Sequence, residues 1–184
     1  MLNPSKTELL LIGTPQQRKK LSDVTSIYLD FTTIPVSTSA RNLGFIFDSE
    51  MSLTSQVNLV CKSCHFHIRD IRRIQNLIPR SIAITLANSL MSSRLDYCNS
   101  LYFGMSKQNI QKLQRVQNSL ARAITQTSKY QHITPVLKDL HWLPITQRIE
   151  YNISLLTLND VSSMKQIITQ VLCRDLLLDR PLIQ

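Results

Sequence analysis

Glycine is scarce in this sequence, with three residues in a chain of 184. Phosphate-binding loops of the Gly-x-Gly-x-x-Gly and Walker types require glycines at close spacing, and neither pattern occurs. Folds with many tight β-turns also depend on glycine, because glycine adopts positive φ angles without a steric cost. The shortage therefore argues against a nucleotide-binding loop and against an all-β fold.

Long apolar runs are missing as well. The longest purely apolar runs are short, such as Leu9–Ile12, whereas a membrane-spanning helix needs about 20 consecutive apolar residues. The first residues, MLNPSKTELLLIG, contain too few consecutive apolar side chains for a signal peptide. We therefore expect an intracellular protein without membrane association, in which the four cysteines are reduced thiols.

Sequence patterns of known catalytic sites are absent too. No two aspartates are adjacent, and neither Gly-x-Ser-x-Gly nor His-Glu-x-x-His occurs. Cys61 and Cys64 form one C-x-x-C pair, but Cys98 and Cys173 supply no second pair with the spacing of a zinc site. The pair falls on the apolar side of a predicted helix, where cysteine behaves as a small hydrophobic side chain. We therefore interpret Cys61 and Cys64 as core residues and expect no bound metal.

Positive charge is present and concentrated in one segment. Residues 52–129 contain eleven lysines and arginines against two acids, Asp70 and Asp96. Residues 1–51 and 130–184 are each balanced, with five basic and five acidic side chains. A local block of positive charge is typical of a protein that binds a polyanion such as nucleic acid. The alternative is a solvated helical surface that lacks acids.

The spacing of apolar residues changes near residue 52. Before it, Thr7–Ile12, Ser26–Phe31 and Leu43–Phe47 are short apolar segments separated by prolines and Ser/Thr-rich turns. This pattern predicts three strands of a small antiparallel sheet. After it, apolar residues recur every three or four positions, which predicts amphipathic helices. The predicted fold class is therefore α+β, mostly α, with a small antiparallel β-sheet followed by a basic helical bundle.

Three long helices are predicted from about Ser52 for about 20 residues, from Pro79 to Leu95, and from Ser106 to about Ile124. Prolines suit the first turn of a helix because their missing N–H has no intrahelical partner there. Shorter helices are therefore predicted after Thr134 and from Pro144 to about Leu158, and the tail over 163–178 is also helical in pattern.

The stretch RLDYCNSLYFGM lies between the second and third predicted helices. Its Tyr97, Cys98, Tyr102 and Phe103 are interpreted as a buried corner between those helices, with base stacking or catalysis by Cys98 as alternatives. Trp142, the only tryptophan, is expected to close the core beneath a helix start rather than to line a ligand groove.

Five blocks of the sequence also resemble a known family. They are LNPSKTELLLIG, SARNLGFIFDSEMSLTSQV, SSRLDYCNSLYFGM, LQRVQNSLARAIT and HITPVLKDLHWLPITQRI. They follow one another in the order seen in reverse transcriptases of non-LTR (LINE-type) retrotransposons. The chain thus resembles the C-terminal part of that RNA-directed DNA polymerase over about residues 1–157.

The resemblance implies a division of the chain into three parts. Residues 1–51 would be the strands at the end of the palm, including the family's N-x-x-KTE element at Asn3, Lys6, Thr7 and Glu8. Residues 52–157 would be a thumb-like helical bundle, and 158–184 a divergent helical tail. The hairpin that supports the primer end in the family would correspond to Leu43, Gly44 and Phe45.

The resemblance also implies what the chain does and does not do. The family's catalytic aspartates lie upstream of N-x-x-KTE, and this sequence starts just before that block, so we expect no polymerase activity. No cofactor is expected, because the carboxylates that bind magnesium in the intact family enzyme are missing. Two alternatives remain, a helical protein-interaction module and a decayed reading frame without function.

The expected partners are RNA or DNA, bound weakly and without sequence preference, and a polymerase portion that this sequence lacks. The compartment, nucleus or cytoplasm, stays open. Basic residues that lie off the apolar stripes of the first and third helices are the expected phosphate contacts. They are Arg69, Arg72, Arg73, Lys107, Lys112, Arg115 and Arg122.

Overall fold

A computed structural model of the chain describes residues 3, 6–29 and 31–159. The architecture is α+β and mostly helical, with the strands first and the helices after them, which confirms the predicted fold class. The predicted helical tail over 163–178 lies outside the described residues. Within the described part, no helix is both long and apolar enough to cross a membrane.

The described residues form five strands, β1 (Leu9–Leu10), β2 (Ser26–Leu29), β3 (Thr32–Ser37), β4 (Ser39–Asn42) and β5 (Phe45–Asp48). The three predicted strands are present as β1, β2 and β5, but β3 and β4 were not predicted, and the expectation of one antiparallel sheet is wrong. One sheet has the order β1-β3-β2, with β1 parallel and β2 antiparallel to β3, and a separate antiparallel hairpin joins β4 to β5.

The extra strands lie in the segment TTIPVSTSA, which the sequence pattern assigns to a turn. Its threonines, isoleucine and valine favour extended backbone because their branched side chains pack well on a pleated surface. Pro35 is compatible with β3 because β1 pairs only with the two residues that follow it, Val36 and Ser37. Proline therefore marks the start of that pairing and does not interrupt the strand.

A short helix, α1 (Pro15–Lys20), was not predicted. Thr14 caps it, since the Thr14 hydroxyl accepts a hydrogen bond from the Gln17 N–H and the Gln17 side chain accepts one from the Thr14 N–H. This reciprocal pair is a capping box, and Pro15 occupies the first helical position. The sequence Thr-Pro-x-Gln is typical of a helix start and could have predicted this helix.

The predicted helices are confirmed, with boundaries shifted by one or two residues except the end of the second. That helix ends at Leu90 and continues as a π-helical turn, Met91–Leu95. A 3₁₀ turn, Asn99–Tyr102, follows before the third long helix. The helices are α2 (Thr54–Ile74), α3 (Arg80–Leu90), α4 (Lys107–Thr125), α5 (Ile133–Asp139) and α6, which begins at residue 145 and is helical up to the last described residue, 159.

α2 and α4 lie side by side and run in the same direction. Two side-chain hydrogen bonds connect them and a third joins the residues just beyond their C-terminal ends. The residue numbers of both partners rise together along the pair. Such an order is possible only for parallel helices, because antiparallel helices would pair rising with falling numbers. The bonds are Asn109 to Thr54 at 3.0 Å, Lys112 to Asn58 at 3.0 Å and Gln126 to Asn76 at 2.9 Å.

The predicted apolar stripes of α2 and α4 are mostly buried, but that of α3 is narrower than predicted. Ile82 and Leu86 of α3 are exposed, whereas Ala83 and Ala87 are buried. The small alanines let α3 approach its neighbours closely, so that the larger side chains on its flank stay in solvent. Side chains of α5 and α6, including Leu137 and Ile149, complete the same core.

The corner between α3 and α4 is buried only in part. Tyr102 is buried, with its ring centroid 5.8 Å from that of Phe45, whereas Phe103 is exposed. The Tyr97 hydroxyl donates a hydrogen bond to the backbone oxygen of Leu43. Cys98 is half-buried and packs against the core. Two of the four side chains, Tyr102 and Cys98, thus behave as the sequence predicted.

Trp142 closes the core, as predicted. It is buried, and its indole Nε1 donates a 2.9 Å hydrogen bond to Oδ1 of Asn88 in α3. The polar edge of the indole is therefore satisfied while the ring packs among apolar side chains.

Candidate nucleic-acid interface

The basic residues of α2 and α4 lie outside the buried stripes of both helices. The sequences of these two helices contain eight cations and a single carboxylate, that of Asp70. Such a surface cannot neutralise itself, so its positive potential extends into solvent. The eight cations are Lys62, Arg69, Arg72, Arg73, Lys107, Lys112, Arg115 and Arg122.

The parallel packing of α2 and α4 brings six of these cations onto one surface. Residues about 50 to 55 positions apart lie at the same level, as the hydrogen bonds along the two helices and just beyond their ends show. Arg115 therefore lies at the level of Lys62, and the arginines of α2 follow beyond them toward the ends of the helices. We call this surface, formed by Lys62, Arg69, Arg72, Arg73, Lys112 and Arg115, the α2–α4 basic face.

Within the α2–α4 basic face, three side chains have contacts that orient them. Lys112 Nζ donates to Oδ1 of Asn58, and Arg73 Nη1 lies 3.6 Å from Oδ1 of Asp70. The guanidinium carbon of Arg69 lies 5.8 Å from the ring centroid of Phe66. These contacts are on the surface, so each contributes little to stability and leaves the cation accessible.

The other cations of this face make no hydrogen bond or ion pair within the described residues. They are Lys62, Arg72 and Arg115, and all three are exposed. Lys62 was not among the residues predicted from the sequence, although it precedes Arg69 by seven positions and therefore shares its side of the helix. The spacing of seven residues could therefore have identified Lys62 from the sequence.

Two predicted contacts differ in their surroundings from the cations of the α2–α4 basic face. Lys107 is in the first turn of α4 and lines a cleft with Thr146 and Glu150 of α6, on the side of α4 away from α2. Arg122 donates hydrogen bonds to the backbone oxygens of Ser128 and Gln131, at 3.4 and 3.0 Å. Its guanidinium therefore holds the loop that follows α4.

The predicted primer-supporting residues form the β4–β5 hairpin. Leu43 and Gly44 are the two turn residues, with φ angles of 48° and 84°, a combination of positive angles typical of a type I′ turn. Leu43 is therefore a turn residue and not the strand residue that was predicted. It is exposed at the tip, whereas Phe45 is 1% exposed and belongs to the helical core. The Phe45 ring thus anchors the hairpin and does not face solvent.

The C-x-x-C pair lies in α2 against the core. Cys64 is buried and burial raises the pKa of its thiol to about 12, while Cys61 is half-buried and its pKa is also raised by burial. A protonated thiol is a poor metal ligand and a poor nucleophile. The residues from 6 to 159 that the structure describes contain no group of three or more metal-binding side chains.

The buried Cys64 predicts a loss of stability at alkaline pH. The unfolded thiol ionises near pH 9, whereas the folded one holds its proton to about pH 12, so unfolding releases a proton in this window. The free energy of unfolding should therefore fall as pH rises, and Cys64 should account for about 1–2 kcal/mol between pH 8 and 10. Urea unfolding at both pH values checks this against Cys64→Ala, whose smaller pH dependence is the expected result. Equal pH dependence of the two proteins would show that Cys64 does not carry the effect.

Comparisons with known proteins add no identification, since no family model, no curated protein and no solved structure matches this chain.

Proposed function

We propose that the α2–α4 basic face binds the phosphate backbone of RNA or DNA without reading its sequence. The observation that carries this proposal is the alignment of two parallel helices that place six cations on one surface beside a single carboxylate. Contacts to phosphates carry no sequence information, and lysine and arginine on helix surfaces suit them well. The resemblance of residues 1–157 to the end of a LINE-type reverse transcriptase supports the same reading, as a thumb-like region that grips template and primer.

The proposed role is binding without polymerisation. Phosphoryl transfer by two metal ions requires closely placed carboxylates, and the sequence has no adjacent aspartates. In this proposal the chain is a non-catalytic remnant of such a polymerase. Primer extension with magnesium or manganese should therefore be absent from a purified preparation.

Removing Lys112 and Arg115 together tests the binding role. Wild-type protein should bind duplex DNA and an RNA–DNA duplex with dissociation constants of about 10⁻⁴–10⁻⁶ M at physiological salt. The double alanine variant should bind every sequence more weakly, and the slope of log K against log salt should decrease by roughly one unit per lost contact. Fluorescence anisotropy at several salt concentrations measures both quantities.

The matched control is Lys19→Ala with Lys20→Ala, which removes two exposed lysines from α1, in the charge-balanced part of the chain. This variant should bind nearly as well as wild type. Identical losses in the two double variants, or binding that does not respond to salt, would contradict the proposal and favour a protein-interaction module.

A further inference from the structure

One aromatic side chain lies within the row of cations on α2. Lys62, Phe66, Arg69 and Arg73 follow one another at spacings of four, three and four residues, which places them along one side of the helix. Phe66 is 55% exposed, so a large part of its ring is accessible to solvent. The α2–α4 basic face therefore has an accessible ring between its cations.

The ring of Phe66 is also held in place by its neighbours. His67 meets it edge-on, with ring centroids 5.5 Å apart and an interplanar angle of 81°. The Arg69 guanidinium carbon lies 5.8 Å from its centroid, within the range of a cation–π contact. A ring oriented in advance loses less conformational entropy when a second flat group stacks on it.

The flanking cations match the chemistry of a nucleotide. Lys62 and Arg69 lie about 6 Å and about 4.5 Å from Phe66 along the helix axis, on opposite sides of it, given a rise of about 1.5 Å per residue. A base that stacks on the ring thus has a cation available for the phosphate on either side. Protein interfaces also use aromatic side chains and arginine but are depleted of lysine, so a row of cations beside a single carboxylate suits a polyanion better than an apolar protein surface.

We infer that Phe66 stacks on an unpaired base, and that the α2–α4 basic face consequently prefers single-stranded nucleic acid to a blunt duplex. This inference rests on the proposed function. Bases inside a duplex are covered on both faces by their neighbours, so that only an unpaired or terminal base offers a face to Phe66. The preference needs no sequence reading, because every base has a flat face for stacking.

Substitution of Phe66 separates stacking from phosphate binding. Phe66→Ala should weaken binding of a short oligothymidine about tenfold or more, and should change binding of a blunt duplex of equal length less than about twofold. Phe66→Trp should keep the wild-type preference, whereas Phe66→Leu, which keeps apolar area but lacks a ring face, should behave like alanine. Leu59→Ala removes an exposed apolar side chain seven positions earlier on the same helix and should have little effect.

An oligonucleotide with abasic sites provides a second measurement on the wild-type chain. It keeps the phosphates and removes the bases, so wild type should bind it about as weakly as Phe66→Ala binds intact oligothymidine. On the abasic oligonucleotide, Phe66→Ala should bind no more weakly than wild type. The inference of base stacking is wrong, while the proposed phosphate binding still holds, if Phe66→Leu binds oligothymidine like wild type. The same conclusion follows if Phe66→Ala loses equal affinity for the duplex and the single strand. If neither nucleic acid binds in a salt-dependent way, the proposed function itself fails.

Discussion

Replacing Phe45 with alanine is expected to lower the free energy of unfolding by about 3–5 kcal/mol, the usual cost of truncating a buried phenylalanine. Phe45 is 1% exposed, and its ring packs 5.0 Å from that of Phe47 and 5.8 Å from that of Tyr102. Truncation would therefore leave a cavity between the hairpin and the helices. Urea unfolding followed by circular dichroism measures the change.

The hairpin depends on Phe45 more than on its own hydrogen bonds. Phe47 packs against the same core but is only partly buried, and further connections are polar, such as the 3.0 Å bond from the Ile46 N–H to Oε1 of Gln56 and the bond from Tyr97 to the turn. An isolated two-stranded hairpin is marginal in water, so the apolar anchor should decide whether it stays in place.

Phe31→Ala is the matched control for Phe45→Ala. Phe31 is 90% exposed, so its truncation should change stability by less than about 0.5 kcal/mol. A similar loss at both positions, or a loss at Phe45 below about 1 kcal/mol, would mean that the hairpin does not share the helical core. Phe45→Leu, which conserves most of the volume, should cost much less than alanine.

Replacing Asp96 with alanine is the second change expected to have a large effect. The Asp96 carboxylate accepts two hydrogen bonds from the Arg148 guanidinium, one of them 2.9 Å long, and links the turn after α3 to α6. The side chains of the pair are only 21% and 23% exposed. Breaking a fully buried pair costs about 3–5 kcal/mol, so this partly exposed one should cost about 2–3 kcal/mol.

Asp139→Ala provides a control of the same chemistry. Asp139 also pairs with an arginine, Arg80, but both side chains are 62% exposed. Its removal should therefore cost less than about 1 kcal/mol, because solvent screens the pair. A double-mutant cycle of Asp96→Ala with Arg148→Met isolates the interaction, and a coupling near zero would contradict its structural importance.

Periodicity within the sequence was enough to predict the helices. The buried residues Val57, Val60, Cys64 and Ile68 lie at helical spacing, and that spacing requires no knowledge of the partner helix. The capping residue of α4, Ser106, is also predictable from the sequence, since its hydroxyl accepts a hydrogen bond from the Asn109 N–H within the same turn. The charge block over 52–129 is likewise a property of the sequence.

Contacts between different elements escaped sequence reasoning. The Asp48 carboxylate at the end of β5 holds the start of α2, since it accepts hydrogen bonds from the N–H groups of Ser52 and Leu53, at 2.9 and 2.7 Å. Asp96 pairs with Arg148, which lies 52 positions further along the chain. Such contacts depend on which elements the tertiary structure brings together.

The same distinction applies to the candidate interface. Residue type and helical period determine that Arg69, Arg72, Arg73, Lys112 and Arg115 point away from the core, because each helix must bury its apolar stripe. Only the tertiary structure decides that α2 and α4 run parallel, which brings the cations of both helices together and leaves Lys107 on the other side of α4. Helix direction and neighbours are set by packing of the whole core, and packing is not encoded in any single stretch of sequence.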